Sequence, residues 1–245
     1  MSVSAGDVSP QNRAFGVGGV ISRSVSTFFI NILPIVAFGY PVQLIFTLAT
    51  TQAAEAFPEV EVLSELVISV IATGIVAALI TPLIFDHHLG RPRRYGEYMR
   101  VMLAVLPILI VVSGLILLMA VIGMIMLIIP GLIVLTIFHV ATPALVIERC
   151  GLSALTRSRD LTRGYRWPVF WMIFLMIVMT VLLALGVAFI AALAPIGLDE
   201  EHPVIAALIG AMSDGLFSVN AVIAYARLRE IKEGLGMEEI ASVFD

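Results

Sequence analysis

Long apolar runs separated by short polar segments dominate this chain of 245 residues. A helix needs about 20 apolar residues to cross the hydrocarbon core of a bilayer. Single runs of that length predict four membrane-crossing helices, at 28–48, 63–85, 169–193 and 203–226. A further run, 101–147, has 47 residues and predicts two helices joined by a tight turn between residues 121 and 131. Pro130-Gly131 is the best turn candidate, because proline suits the first turn of a helix.

The composition leads to the same fold class. Hydrophobic residues make up 60% of the chain, charged residues only 13%, and the mean hydropathy is +1.07, whereas soluble domains carry about 25% charged residues. So much apolar surface cannot be hidden in one soluble core, which excludes a soluble enzyme, a disordered tail and a nucleic-acid binder. We expect an all-α polytopic membrane protein with six transmembrane helices. The single cysteine, Cys150, excludes an intramolecular disulfide and a cysteine-rich zinc site.

The charges are fully segregated once six helices are placed. All 14 lysines and arginines then fall on one side, while the loops on the other side contain only acidic charges. Because cytoplasmic loops are rich in Lys and Arg, we expect both termini in the cytoplasm and the protein in the bacterial inner membrane. The expected organisation is a cytoplasmic N-terminal segment with an interfacial helix (1–26), a transmembrane domain (27–230) and a cytoplasmic C-terminal tail (231–245).

The spacing of glycines and prolines predicts a threefold repeat. A glycine on the basic side is followed by a proline near the start of the next helix, at separations of 18, 17 and 17 residues. The three pairs are Gly16 and Pro34, Gly90 and Pro107, and Gly151 and Pro168. Internal repeats are common in membrane folds, so the pattern predicts three elbow-plus-hairpin units. Coincidence is the alternative, since Gly and Pro often mark such junctions.

Polar residues inside the apolar runs are candidates for an intramembrane site: Thr136, His139, Asp214 and Asn220. A carboxylate facing lipid at mid-bilayer costs at least about 2.5 kcal/mol, so Asp214 should face the bundle. Its expected partners, on neighbouring helices, are His139 at similar depth, Thr136, Ser113 or Thr180. Three interpretations stay open: interhelical hydrogen bonding, a proton- or solute-linked site, and contact with water in a pore.

Small residues at four-residue spacing predict close packing of the fifth and sixth helices in their outer halves, because small side chains let backbones approach. The fifth helix carries Ala184, Ala188 and Ala192, and the sixth carries Ala207, Ala211 and Gly215. The alternative is that alanine is simply common in such helices.

The loop before the fifth helix is strongly basic and ends on a tryptophan. Its candidate residues for binding lipid headgroups are Arg157, Arg159, Arg163, Arg166 and Trp167. A basic residue near an anionic membrane surface contributes roughly 1 kcal/mol, and tryptophan anchors helices at the interface. Arg159, Arg163 and Arg166 would share one stripe if the helix continued through Gly164. The simpler alternative is that these arginines only hold the loop in the cytoplasm.

No catalytic motif is present in the sequence: there is no Walker A loop, nucleophile elbow, H-E-x-x-H or C-x-x-C. Asp86-His87-His88 lies at the end of the second helix, but adjacent histidines do not face one metal from a helix. We therefore interpret these residues as a polar helix end, and Cys150 as a small interfacial residue. No cofactor and no metal are expected.

The stretch from Pro130 to Trp167 resembles a known family. The matching features are Pro130-Gly131, Pro143, Glu148, Gly151, Ala154-Leu155, Arg157-Ser158, Leu161-Thr162 and Gly164, with the tail 225–234. They resemble the bacterial glycerophosphoryl diester phosphodiesterase membrane-domain family and the related YciC-like six-helix inner-membrane proteins. The resemblance implies the six-helix layout, but not the hydrolase activity, because the chain ends at Asp245 without room for a catalytic barrel.

The function expected from the sequence is a non-enzymatic one: structural, lipid-interacting or concerned with membrane homeostasis. The alternative is a small transporter or channel component that uses the Asp214 region, and a membrane-embedded lipid enzyme comes third. The expected partners are membrane lipids, with anionic lipids favoured by the basic loop, and no nucleic acid.

Overall fold

The computed structural model describes residues 14–193 and 202–234, and these residues form helices with no strand. In chain order the helices are α1 (Val17–Ile30), α2 (Ile32–Ala56), α3 (Glu61–His88), α4 (Tyr95–Met126), α5 (Ile128–Phe138), α6 (Ala141–Glu148), α7 (Ser153–Thr162), α8 (Arg166–Leu193) and α9 (Pro203–Glu233). One turn of 3-10 helix, Pro58–Val60, leads into α3.

Six helical segments of the described chain are long and apolar enough to cross a membrane, which confirms the predicted fold class. They are Ile32–Ala56, Pro58–His88, Tyr95–Met126, Ile128–Glu148, Arg166–Ile190 and Pro203–Glu233. The fourth segment consists of α5 and α6 with a short break between them. The chain is therefore a multi-pass, all-α protein in which one of the six crossings is discontinuous.

The turn between the third and fourth crossings lies at Leu127, inside the predicted interval and three residues before Pro130. The two helices approach so closely here that a Cβ added to Gly123 would lie 2.9 Å from the backbone nitrogen of Gly131. Only glycine at these two positions permits this hairpin, and Pro130 falls in the first turn of α5, as its fixed φ favours.

The first crossing begins later than predicted, because the helix breaks at Asn31. The Asn31 side-chain amide donates to the carbonyl of Thr27 at 2.9 Å, and its own backbone leaves the helical region. Arg93 Nη2 donates to Asn31 Oδ1 at 3.0 Å and fixes this break from the loop before α4. Consequently α1 runs across the predicted boundary between the N-terminal segment (1–26) and the transmembrane domain (27–230).

A ring of five helices forms the centre of the bundle. The pairs α3–α4, α4–α5, α5–α8, α8–α9 and α9–α3 all pack against each other, and α2 packs on the outside of the ring against α3 and α9. Helix α1 packs against α8 and α9, while α6 lies against α3, α7 and α9. The core around α9 includes Phe28, Leu83, Val222 and Tyr225, all fully buried.

Two of the three small residues singled out on the sixth crossing, Ala211 and Gly215, pack against the first crossing, which corrects their predicted placement against the fifth. A Cβ added to Gly39 of α2 would lie 3.3 Å from the Cβ of Ala211, and Gly215 is covered by Ile35 and Phe28. Helices α8 and α9 do contact each other, and Ala192 lies outside the residues whose side chains are described. A stripe of small residues allows close approach, but the facing residues Gly39 and Ile35 decide which helix uses it.

The three glycines of the predicted repeat share one backbone conformation. Gly16, Gly90 and Gly151 all have a positive φ, at 67°, 62° and 62°. The segments that follow them differ, however. Gly16 precedes a helix that ends at Asn31, Gly90 precedes the continuous α4, and Gly151 precedes the short α7. The threefold repeat therefore stays a prediction.

One end of the bundle collects the described basic segments, and we call it the basic end. It contains the start of α1, the α3–α4 loop, α7 and the C-terminal turns of α9. Arg227 Nη2 donates to the carbonyl of Ala14 at 3.0 Å, and Lys232 Nζ donates to the carbonyl of Asp160. These contacts hold α1, α7 and α9 together at this end. The opposite end, with Glu55, Glu59 and Glu61, is called the acidic end.

Candidate functional site

Asp214 faces neighbouring helices through hydrogen bonds to α2 and α3. Its Oδ2 accepts from the Gln43 side-chain amide and, at 2.9 Å, from the Thr73 hydroxyl. The partners expected from the sequence are therefore wrong, because these two hydrogen bonds come from α2 and α3 and none comes from His139, Thr136, Ser113 or Thr180. Gln43 is also a polar residue within an apolar run of the sequence. The criterion that identified Asp214 could therefore have identified Gln43 as well.

His139 binds a different part of α9. Its Nε2 lies 3.1 Å from Asn220 Oδ1, and Asn220 Nδ2 donates to Ser24 Oγ of α1 at 3.2 Å. Because an amide oxygen only accepts, this contact assigns the His139 proton to Nε2. The ring also packs edge-on against Phe217, with centroids 5.3 Å apart. The structure thus brings together two of the four predicted intramembrane residues, His139 and Asn220.

His139 and Asp214 do not lie at the same depth, contrary to the prediction. Asn220, the partner of His139, is six residues beyond Asp214 on α9, which corresponds to about 9 Å along a helix. The fourth crossing is also interrupted beside His139, between Phe138 and Ala141.

Helix α7 supplies hydrogen bonds at this break. The last carbonyls of a helix have no partner within it, and the carbonyl of Ile137 accepts from Ser158 Oγ at 2.7 Å. Thr162 Oγ1 lies 3.3 Å from the same carbonyl, but its proton has a nearer acceptor in the carbonyl of Ser158 at 2.9 Å. Ser and Thr side chains of a neighbouring helix are a known means of satisfying interrupted membrane helices. Thr136 takes no part, since its hydroxyl donates to the carbonyl of Leu132 within α5 at 2.8 Å.

A cleft of about 360 Å³ lies inside the five-helix ring, beside the break at His139. Its walls are mainly aliphatic, and no charged side chain of the described chain lines it. The polar lining residues are Ser69, Thr73, Ser113, His139, Thr142 and Ser218. Thr73 connects the cleft to Asp214, which itself does not line it.

Along α3 and α8 the residues that line the cleft become more exposed toward the acidic end. On α3 the lining residue Ala77 is 8% exposed, whereas Ser69, two turns nearer the acidic end, is exposed. On α8 the same change runs from Ile173, which is buried, to Ile177, which is 47% exposed. The cleft is therefore open between α3 and α8 in the acidic half of the bundle, whereas Ala120 of α4 stays buried there.

A five-residue ionic network ties α6, α7 and α9 together at the basic end. Glu148 Oε1 accepts from Arg157 Nε at 2.7 Å and from the Tyr225 hydroxyl at 2.6 Å. Arg157 also pairs with Glu233 at 2.5 Å, and Arg229 Nε pairs with Glu233 at 2.7 Å. Burial acts to lower the pKa of Arg157, but its bonds to Glu148 and Glu233 outweigh this and raise the pKa above its ordinary value. Arg157 is thus a structural cation, which corrects its prediction as a headgroup ligand.

The other residues of the basic loop are exposed. Arg159, Arg163 and Arg166 are all exposed and form no ion pair within the described segments, and Trp167 is 73% exposed. The three arginines do not share a helical stripe, because α7 ends at Thr162 and Gly164 adopts a φ of 88°. They flank a turn between two helices instead.

An aromatic ladder continues from this turn along α8. Trp167, Phe170, Trp171 and Phe174 contact one another edge-on, with successive centroid distances of 5.9, 5.6 and 5.7 Å. Trp171 is 51% exposed and Phe174 is also exposed. We call the exposed arginines 159, 163 and 166 with this ladder the arginine–aromatic surface.

The Asp86-His87-His88 segment forms a polar helix end, as interpreted from the sequence. Asp86 accepts from the Tyr98 hydroxyl at 2.6 Å, and His88 Nδ1 lies 2.9 Å from the carbonyl of Ile84. Among the residues that the structure describes, no group of three or more His, Cys, Asp or Glu could hold a metal ion. Cys150 is half-buried, with its thiol 3.8 Å from the carbonyl of Ala144.

No protein-family model, no curated protein and no solved structure matches this chain significantly.

Proposed function

We propose that this chain is a non-enzymatic, lipid-interacting protein of the bacterial inner membrane, with both termini in the cytoplasm. The observation that carries this proposal is the arginine–aromatic surface at the basic end. Three exposed guanidinium groups without ion-pair partners in the described chain stand beside an exposed tryptophan. Such a surface fits an anionic headgroup layer above a belt of interfacial aromatic rings.

The magnitude of the effect is sufficient for a measurable lipid preference. Each basic residue near an anionic membrane surface contributes roughly 1 kcal/mol, so three contribute about 3 kcal/mol, or roughly a hundredfold preference at low salt. Arg157 adds nothing to this sum, because Glu148 and Glu233 already neutralise it.

The orientation and the family assignment belong to the same proposal. The gathering of basic segments at one end of the bundle supports a cytoplasmic location for that end. Membership of the glycerophosphoryl diester phosphodiesterase membrane-domain family rests on the matched sequence features of residues 130–167. Two of these residues have structural roles in this chain: Glu148 is the centre of the ionic network, and Gly151 occupies a left-handed turn that favours glycine.

The test compares lipid enrichment around variants in nanodiscs that contain phosphatidylglycerol and phosphatidylcholine in equal amounts. We expect the wild-type protein to retain phosphatidylglycerol preferentially, and R159Q/R163Q to lose most of this preference. The matched control is R23Q/R100Q, which removes the same charge from exposed positions at the same end. Equal loss in both double variants would show that the preference is diffuse and would refute the proposal.

A second candidate function, proton- or solute-linked transport, is favoured by one observation. Asp214 is bonded to Thr73, and Thr73 lines the cleft inside the ring. A path through the cleft would therefore reach the carboxylate by way of one hydroxyl. Proton flux into vesicles containing the protein tests this candidate: D214N should abolish protein-dependent flux, and unchanged flux would leave Asp214 a structural residue.

A further inference from the structure

The cleft inside the five-helix ring is a half-open, mainly apolar space of about 360 Å³. That volume falls within the range of small-molecule sites, about 300–1,000 Å³. Because the cleft is open on one side, a molecule from outside the bundle can enter it and contact its lining side chains.

Three hydroxyls in the cleft lack a hydrogen-bond partner in the described part of the chain. They belong to Ser113 of α4, Thr142 of α6 and Ser218 of α9. Ser113 is 9% exposed and Ser218 is 4% exposed. No fully enclosed polar side-chain atom among the described residues is unpaired, so these three oxygens keep some accessible surface, and all three residues line the cleft. An unpaired hydroxyl in apolar surroundings is unfavourable and points to a missing polar partner.

His139 adds an acceptor to the three hydroxyls. Its Nε2 carries the proton that is bonded to Asn220, so Nδ1 is the ring nitrogen with a free lone pair. Nδ1 has no partner among the residues that the structure places. The cleft thus offers hydroxyl groups that donate or accept and one nitrogen that only accepts.

We propose that this cleft binds an uncharged lipid that carries a free hydroxyl, such as a monoacylglycerol. The aliphatic walls match a hydrocarbon chain, and the opening toward the acidic half of the bundle gives a route for the chain to enter. A ligand hydroxyl can donate to His139 and accept from a serine or threonine at the same time. A charged headgroup is excluded, because no lining side chain of the described chain carries a compensating charge.

This site goes beyond the proposed headgroup surface and is independent of it. The cleft and the arginine–aromatic surface share no lining residue. The cleft would bind a neutral lipid between the helices, and the arginine–aromatic surface would bind anionic headgroups at the basic end. An experiment can therefore refute one proposal without refuting the other.

The experiment uses a monoacylglycerol whose acyl chain carries a photoreactive diazirine, added to the full chain in vesicles. After illumination, mass spectrometry maps the labelled residues. We expect labelling at cleft residues such as Ile116 and Ile173, with competition by unlabelled monoacylglycerol and none by a fatty-acid anion. Removing the cleft hydroxyls with S113A/T142V/S218A should lower the labelling about tenfold or more.

The matched control is T50V/T51V/S64A, which removes three hydroxyls outside the cleft and should label like the wild type. S113A/T142V/S218A loses only hydroxyls without a hydrogen-bond partner, so its melting temperature should not change. R159Q/R163Q should be labelled to the same extent as the wild type. Unchanged labelling in S113A/T142V/S218A would overturn the proposal. So would labelling confined to lipid-facing residues such as Phe189, or equal competition by the fatty-acid anion.

Discussion

The Tyr225 hydroxyl donates a 2.6 Å hydrogen bond to Glu148 Oε1, and so joins α9 to the end of α6 across 77 residues of chain. The same oxygen also accepts a hydrogen bond from Arg157 Nε of α7. A single carboxylate therefore fixes the position of three helices at the basic end. It also pairs Arg157, whereas the neighbouring Arg159 is exposed and forms no ion pair within the described residues.

Replacing Glu148 by alanine should destabilise the protein by roughly 2–3 kcal/mol, because Arg157 and Tyr225 lose a charged, partly buried acceptor. Thermal unfolding in detergent measures the effect. The control is E97A, whose Arg94 partner is about half exposed and whose ion pair contributes at most about 1 kcal/mol. Equal destabilisation by the two substitutions would mean that the network has no special role.

Replacing Gly215 by a larger residue should disrupt the contact between α2 and α9. A Cβ at this position would lie 2.4 Å from Ile35 Cγ2, and overpacking of this kind costs about 1–3 kcal/mol. We therefore expect G215A to lower the melting temperature and I35A/G215A to recover part of it. The control is G186A on α8, where a Cβ meets no atom within 4 Å. A neutral G215A would contradict the described packing of α9 on α2.

Asp214 is expected to stabilise the fold as a hydrogen-bond acceptor for Gln43 and Thr73. In D214L both Gln43 and Thr73 lose their acceptor. A fully buried group left unpaired costs about 1–3 kcal/mol, and these two half-buried groups should cost about 1 kcal/mol each. The triple variant D214L/Q43L/T73V removes all three polar groups, and should be more stable than D214L alone. Denaturation in mixed micelles measures both. If D214L were as stable as the wild type, the two hydrogen bonds would not contribute to folding.

The topology can be tested by labelling cysteines from outside the cell, in a C150S background. A cysteine at Glu59 should react with a membrane-impermeant reagent, while cysteines at Arg94 and Arg159 should not. The reason is that the acidic and basic residues occupy opposite ends of the bundle. Labelling of the cysteine placed at Arg94 from outside the cell would contradict the proposed orientation. Glu200, a further outer-side position, lies outside the described residues.

The helices could be predicted from the sequence because each follows from local hydropathy and length. The turn at Leu127 fell inside the predicted interval for the same reason, since Pro130 and the two nearby glycines mark it. The break at Asn31 was missed, because it depends on a side-chain bond to Thr27 and on Arg93, which is 62 residues away. Hydropathy carries no information on such a contact.

The candidate site was only partly predictable. The sequence indicates that Asp214 and His139 need polar partners, but not which helices lie beside them. Gln43 and Asn220 became their partners because α2 and the broken fourth crossing pack on different turns of α9. Arg157 and Arg159 look alike in the sequence, and only the position of Glu148 distinguishes the paired arginine from the exposed one.

The two tryptophans provide the most direct measurement of the proposed lipid interaction. Trp167 and Trp171 are the only tryptophans in the sequence, and both lie exposed on the arginine–aromatic surface. In vesicles, brominated phosphatidylglycerol should quench their fluorescence more than an equal mole fraction of brominated phosphatidylcholine. The excess should disappear in R159Q/R163Q/R166Q and at high salt, since salt screens exposed charges. Equal quenching by the two lipids in the wild-type protein would contradict the proposed preference for anionic lipid.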